Sequence, residues 1–423
     1  MASHTVLSNN EYKIVGTRPI RHDGYDKVTG KAQYGADLHL PGIIYGKILR
    51  SPHAHAKLLS IDTTKALAHP DVRAIVTSKD LPLIEGNSVL GEQHSHDRIL
   101  ANDKVLYKGH PIAGIAATSI HSAEEALALI QVEYEVLPSV VDVEEAMKPE
   151  APRLHKAYEN NVAERDQFQL GDIKKGFAEA DLIVEREFRT KMVHQGYIEP
   201  HTATAWWTPN GKITLWSSSQ GHFQIGEETA KLIGVPSSQI KVVPMEIGGG
   251  FGGKTLVYIE PVAALLSRKT GVPVKISMSR AEVLEATGPT SGTYIKLKMG
   301  ATREGRLTAA EAHMMYDAGA YPGSSVGAGA QCLFSPYNIE NIHIETYDVV
   351  DNMPKTAAYR APGAPAAAFA SEQVIDEICK ALGIDLLDFR IVNGAKEGTR
   401  RANGIINPRI GAIETAEAAK AHN

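Results

Sequence analysis

Residues 240–271 read IKVVPMEIGGGFGGKTLVYIEPVAALLSRKTG. They set out a strand, a glycine turn and a buried helix in that order. Ile240, Val242 and Val243 are the β-branched residues of a strand. The run from Val257 to Leu266 has the apolar content of a buried helix, which Gly271 ends. Between them, glycines on both sides of Phe251 leave backbone N–H groups bare. Such a turn can approach an anionic cofactor where side chains would obstruct it. Two other readings compete. Gly248, Gly253, Lys254 and Thr255 satisfy the phosphate-loop pattern G-x-x-x-x-G-K-[ST], so a nucleotide triphosphatase using Lys254 and Thr255 is one alternative. Against it, no apolar strand ending in a magnesium-binding Asp follows, and Phe251 suits a phosphate-wrapping loop poorly. A turn needed only for close packing is the other.

Outward from this segment the chain reads as α+β. VRAIVT, PIAGIAA and QVEYEV have strand composition, and SAEEALALI reads as a helix opened by Ser122. These belong to a compact domain over residues 15–145. The stretch MKPEAPRLHKAYENN loses periodicity, so residues 146–161 are expected as a linker and 162–423 as a second domain. In that second part TATAWW and KITLWSSSQ are strands, EETAKLIGV is a helix, and RAPGAPAAAFASE starts a tightly packed helix.

Composition narrows the function classes. With 44 Lys plus Arg against 49 Asp plus Glu, a net charge of -5 gives no basic field for a phosphate backbone. Nucleic acid is not an expected partner. MASHTVLSNNEYK has no basic start followed by an apolar run, and no apolar stretch reaches the ~18 residues of a membrane span, so a cytoplasmic protein is expected. Two cysteines, Cys332 and Cys379, are too few for an iron–sulfur cluster.

Three further features could carry chemistry. Gln220 ends KITLWSSSQ just before a helix begins near His222; its amide can cap that helix or donate to a bound oxygen. Arg360 lies among small residues in AAYRAPGAP and needs either a carboxylate or a bound anion. His53 with His55, and His94 with His96, have the i, i+2 spacing of one strand face, which could bind zinc or be structural. His194 and His201 fit buried hydrogen bonding.

Taken together, SSSQ at 217–220, GGGFGGK at 248–254, DAGAY at 317–321 and AAYRAPG at 357–363 resemble the xanthine dehydrogenase family of molybdenum hydroxylases. VTGKAQYGADLHLPGIIYGKILRSPHAHAKLLSID, YKGHPIAGIAA and VHQGYIEPHTATA resemble other parts of its large subunit, so the likeness spans about residues 15 to 420. The resemblance implies a small α/β hammerhead-like domain followed by the first half of a molybdenum-cofactor-binding domain. It places Gln220 against the apical oxygen of molybdenum, Gly250, Phe251 and Gly252 against the metal ligands and pterin, and the Arg360 backbone at the edge of the site. The metal is held by the pterin dithiolene, with no direct protein ligand.

The implied reaction is hydroxylation of an electron-poor carbon with oxygen from water. Positions that contact substrate in purine-oxidising members fall on Thr255, Gln331 and Pro362, and none carries the residue a purine site has. A purine is therefore disfavoured, and an aromatic heterocycle or related carbon acid is expected. No segment resembling the family's general-base glutamate follows Asn407, and Glu414 and Glu417 belong to an ordinary solvated helix face. The likeness is to the split form seen in nicotinate dehydrogenases. It implies no catalytic residue on this chain, with the base on a second molybdopterin-domain subunit. FAD and [2Fe-2S] clusters on further subunits, and a cytosine dinucleotide form of the cofactor, follow from the same resemblance. A non-catalytic scaffold subunit is the remaining alternative.

Overall fold

A computed structural model describes residues 12–82 and 90–422; the opening MASHTVLSNNE lies outside them. The α+β class is what is found, built on three sheets. The widest sheet runs Ile240–Pro244, Ile213–Ser217, Thr202–Trp207, Val274–Ser277, Ile44–Arg50, Pro111–Ala117, Val72–Thr77. Strands from both sides of residues 146–161 therefore share one sheet, joined where Ile44–Arg50 pairs in parallel with Val274–Ser277. The helix Glu260–Thr270 accounts for this join. It is buried at every position from Glu260 to Ser267, so it needs apolar partners on all sides. Ile44 and Val76 from the first region and Ala205 and Leu215 from the second belong to the same core as Val262, Leu265 and Leu266. Each of the isoleucine, valine and leucine side chains among them contributes roughly 1.5–3 kcal/mol on burial.

The second sheet is ordered Val162–Leu170, Asn341–Val350, Leu307–Gly319, Thr293–Ala301, Leu182–Thr190. The helix Ala364–Leu382 packs on it through Ala367, Ala370, Val374, Ile375 and Ile378, the spacing of one helical face. Residues 146–161, expected as a linker, also pack here. Ala146 and Leu154 are buried against Tyr294, Val349 and Val350, and the Asn161 amide ties Leu154 N, Ala146 O and Pro152 O together.

Several local expectations change. The helix Ile120–Leu127 is capped by Ser119, whose hydroxyl accepts from Ser122 N, while Ser122 is buried in the first turn and donates to Asp71. His94 and His96 lie on the helix Leu90–Ile99, where i, i+2 side chains diverge, so the strand-face zinc site is absent there. His55 bonds the Pro138 carbonyl, and among the described residues no three His, Cys, Asp or Glu side chains form a metal-sized group. Val235 falls outside its helix, which stops at Gly234 in the left-handed conformation. No helix of the described residues is long and apolar enough to cross a membrane.

At the end of the strand Leu307–Gly319, Asp317 faces Asp351, and both are buried. Burial raises the pKa of Asp317 well above the usual carboxyl range and pushes Asp351 up to about 7. A raised carboxyl contributes its full stability below the unfolded value near ~3.9 and loses it as pH climbs through the folded value. Asp317→Asn cannot ionise. It is expected to leave the melting temperature almost unchanged at acidic pH and to raise it by roughly 3 °C or more at pH 8. Thermal unfolding from pH 5 to 8 checks this; parallel wild-type and variant curves would contradict it.

The wide sheet also sets up the site. Ile213–Ser217 and Ile240–Pro244 run parallel with Ser217 opposite Pro244, so the loops leaving both strands emerge side by side. Ligands of α/β sheets bind in such crevices beyond the carboxyl ends of strands.

Candidate cofactor site

Gln220 sits three residues past its strand. It does not cap the helix His222–Ile233; the N-cap there is Gly221 and no side chain caps it. Instead Gln220 Oε1 accepts from Gly252 N at 2.8 Å and Lys254 N at 3.2 Å, and Gln220 N donates to Lys254 O at 2.9 Å. Two backbone donors on one oxygen fix the amide orientation. Its Nε2 therefore points away from the loop and has no partner among the described residues. A Cβ on Gly250 would meet Gln220 Oε1 at 2.5 Å, so only glycine lets the loop close on this side chain.

The third segment joins from the other sheet. Arg360 N donates to Phe251 O at 2.8 Å. Gly252 has φ +101, and a Cβ there would lie 2.6 Å from Ala358 O. Phe251 at φ 53 and Ala361 at φ 62 hold left-handed conformations that ordinary side chains rarely adopt. The other two non-glycine residues with positive φ among the described residues are both asparagine, which tolerates it. Backbone strain is thus concentrated where the two loops meet, as at many functional sites. The Arg360 side chain is exposed and has no carboxylate partner among the described residues, which removes the structural ion-pair reading.

The loop rests on a rigid floor. Lys254 is 1% exposed, and its ammonium meets Glu199 at 2.7 Å and lies 5.0 Å from the Tyr197 ring centre. Burial lowers the Lys254 pKa, opposed by its hydrogen bond to Glu199. Tyr197 donates or accepts at His201 Nε2, 2.7 Å away, and burial, with Lys254 nearby, holds His201 neutral. His194 bonds Thr287, completing the buried hydrogen bonding expected of these histidines. The phosphate-loop reading fails on this geometry. Lys254 points into the floor, Thr255 Oγ1 donates back to Gly252 O, and the next helix begins only at Glu260.

A 580 Å3 cavity beside the loop is lined by Thr255, Leu256, Pro362, Lys355 and residues 323–328. Thr255 and Pro362 thus share a cavity. Gln331 does not line it; it is exposed further along the helix Val326–Leu333. Two residues that the sequence did not single out prove central. Glu199 holds Lys254, Gly248 N and Gly35 N at once, and Gln195 Nε2 bridges Gly288 O and Ala358 O. The only local signal for Glu199 was a carboxylate in the histidine-rich VHQGYIEPH; Gln195 had none.

These residues fit a large anionic cofactor. The outward amide of Gln220 is free to donate, and Ser219 Oγ and His222 Nε2 nearby are buried without partners. At Gly250 and Gly252 an added Cβ would collide with Gln220 and Ala358, so bare backbone lets these segments close on one another.

Known proteins resemble this chain along nearly its whole length. Residues 154–394 match the molybdopterin cofactor-binding domain, and residues 29–138 match the a/b hammerhead domain of aldehyde oxidase and xanthine dehydrogenase. The nicotinate dehydrogenase large molybdopterin subunit of Eubacterium barkeri is 32% identical over 97% of this chain and 96% of its own length. A probable xanthine dehydrogenase subunit of Bacillus subtilis is 35% identical over 88% of this chain, which spans only 50% of that relative. Among solved structures, the aldehyde oxidoreductase of Desulfovibrio gigas superposes with a TM-score of 0.87 at 28% identity, over 95% of this chain and 45% of that one. The hammerhead domain and the cofactor-binding domain therefore follow one another as the resemblance implied, and the chain belongs to the xanthine dehydrogenase family of molybdenum oxidoreductases as a molybdopterin-binding subunit.

Proposed function

We propose that this chain forms one wall of the molybdopterin site of a hydroxylase or dehydrogenase acting on an electron-poor carbon of an aromatic heterocycle. The general-base glutamate comes from a second molybdopterin-domain chain, and FAD and [2Fe-2S] subunits carry the electrons away. The single observation that carries this reading is the meeting of Gln220, the Gly250–Gly252 backbone and Arg360 N at one exposed crevice. Phe251 is 47% exposed and Phe223 91%, so the wall is open on one side. The Eubacterium barkeri relative is named as a large molybdopterin subunit, which supports a further molybdopterin chain. When bound, the cofactor, in our reading its cytosine dinucleotide form, makes a water-derived oxygen nucleophilic near neutral pH and accepts two electrons.

The chain's own residues orient and exclude. Gln220 Nε2 would donate a hydrogen bond toward the bound cofactor, while its oxygen keeps the glycine loop in register. The loop offers backbone rather than side chains to the pterin. Thr255, Leu256 and Pro362 shape the substrate cavity, whose charged residues are Glu164, Asp166, Asp348 and Lys355.

Gln220→Glu tests this. The carboxylate still accepts from Gly252 and Lys254 but presents an acceptor where the amide presented a donor. The fold and melting temperature should persist while turnover of nicotinate or quinoline, read with a dye acceptor on the assembled complex, falls by roughly 100-fold. Full turnover in the variant would overturn the role assigned to Gln220.

A further inference from the structure

A second cavity, of 670 Å3, lies between the helix Leu90–Ile99, the helix His222–Ile233 and the segment at Tyr321 and Pro322. It shares Leu256 and Lys355 with the cavity at Thr255, so the two adjoin. Three nitrogen groups on its inner wall lack the partners their burial calls for. Arg98 has no hydrogen bond or ion pair among the described residues, its Nη1 is buried and unpaired, and its guanidinium lies 5.9 Å from the Tyr258 ring centre. His94 is 8% exposed, packs against His155, Tyr158 and Tyr321, and its Nε2 is also unpaired. Lys355 Nζ bonds two backbone oxygens, of Gly323 and Thr356, but no carboxylate.

Among the described residues, the carboxylates that line this cavity have other partners, and Asp348 lies beside Lys355. Glu92 pairs with Lys231 at 2.7 Å, Glu228 accepts from Gln224, and Asp348 accepts from Gly323 N and Ser324 N. Burial pushes Lys355 down to about 8; the nearby Asp348 opposes this and Arg98 adds to it. Arg98 has no counter-ion among the described residues and Lys355 has only Asp348 nearby, so an entering anion would relieve the repulsion between the two cations. A guanidinium with free N–H groups is matched by a carboxylate. Tyr158, Tyr321, Leu256 and Pro322 give the wall an apolar side that suits a flat ring, while Glu92, Ser95, His96, Glu228 and Lys231 line the rest.

We infer that this cavity is an entry vestibule for an aromatic carboxylic acid, whose carboxylate sits between Arg98 and Lys355 while its ring lies against Tyr158 and Tyr321. That the acid is the substrate rests on the function proposed above; that the cavity binds it rests on this chain's residues alone.

Calorimetric titration of the purified complex with benzoate, benzamide and inorganic phosphate tests the inference. Benzoate should bind at least about tenfold tighter than benzamide. Arg98→Gln and Lys355→Met should each erase most of that preference while leaving benzamide binding unchanged. The Arg98→Gln melting temperature should hold, since an unpaired buried charge is removed, and Arg98→Lys should keep part of the preference. Benzoate binding no tighter than benzamide, or a preference that survives both variants, would overturn the vestibule. Phosphate binding as tight as benzoate would overturn the choice of an aromatic carboxylate. Molybdenum content of the same samples separates the two ideas. Metal-loaded protein with charge-blind binding rejects the vestibule only, whereas metal-free protein with Arg98-dependent benzoate binding supports the vestibule and counts against the proposed function.

Discussion

Glu199→Ala is expected to destabilise the chain by roughly 3–5 kcal/mol, because it strands the Lys254 ammonium in the interior. The Lys254 side chain is 0% exposed and that of Glu199 only 10%, so water cannot replace the lost partner without opening the loop. The carboxylate also accepts from Gly248 N at 2.8 Å and Gly35 N at 3.4 Å. The substitution therefore leaves two backbone donors unsatisfied, one at the start of the glycine loop and one at Gly35. Denaturant midpoints at constant slope measure the effect. A loss under about 1 kcal/mol would mean that the pair is screened like a surface ion pair. The double variant Glu199→Leu with Lys254→Met should recover much of the stability, since apolar replacement of a whole buried pair is often neutral. It should not recover cofactor binding, because Gly248 N is still unheld.

Gly252→Ala is expected to cut molybdenum content to below roughly a tenth of wild type while lowering stability by only about 1–3 kcal/mol. Two effects combine at this position. The backbone sits at φ +101, and the added methyl would lie 2.6 Å from Ala358 O and 2.8 Å from Ala358 Cβ. Something must shift, and the atoms in the way belong to the segment that presents Arg360. Gly271→Ala is the matched control. Its φ is +72 with nothing within 4 Å of the added methyl, so it suffers the backbone strain without the collision. Metal analysis of both variants separates the contributions. Equal metal loss in the two would show that general destabilisation, rather than closure of the two loops, governs cofactor retention.

The three segments that the structure brings together lie in recognisable runs of the sequence. Gln220, the loop around Phe251 and the Arg360 segment could be found because each sits in a distinctive string beside a strand end or helix start. Contacts made across long separations were not legible. Glu199 acts on Lys254 from 55 residues away, and Gln195 on Ala358 from 163. Lys254 shows the limit of a local pattern: G-x-x-x-x-G-K-T describes its neighbours along the chain but not the buried carboxylate that turns its side chain inward. Gln331 failed for a related reason, since placing it required an alignment through a helix whose rotation the sequence does not reveal. Cap assignment was ambiguous where two serines, Ser119 and Ser122, stood three residues apart and each could open the helix. The expected separation of two domains missed the parallel pairing of Ile44–Arg50 with Val274–Ser277, because strands over two hundred residues apart leave no local mark of their pairing.

The most direct measurement is an anomalous difference map, recorded at the molybdenum absorption edge, of crystals of the assembled complex. Metal density directly in front of the Gln220 amide, bordered by the Phe251–Gly252 backbone and Arg360, is the predicted result. Density elsewhere in the assembly, or a complex that carries no molybdenum when its partner chains are present, would contradict the account.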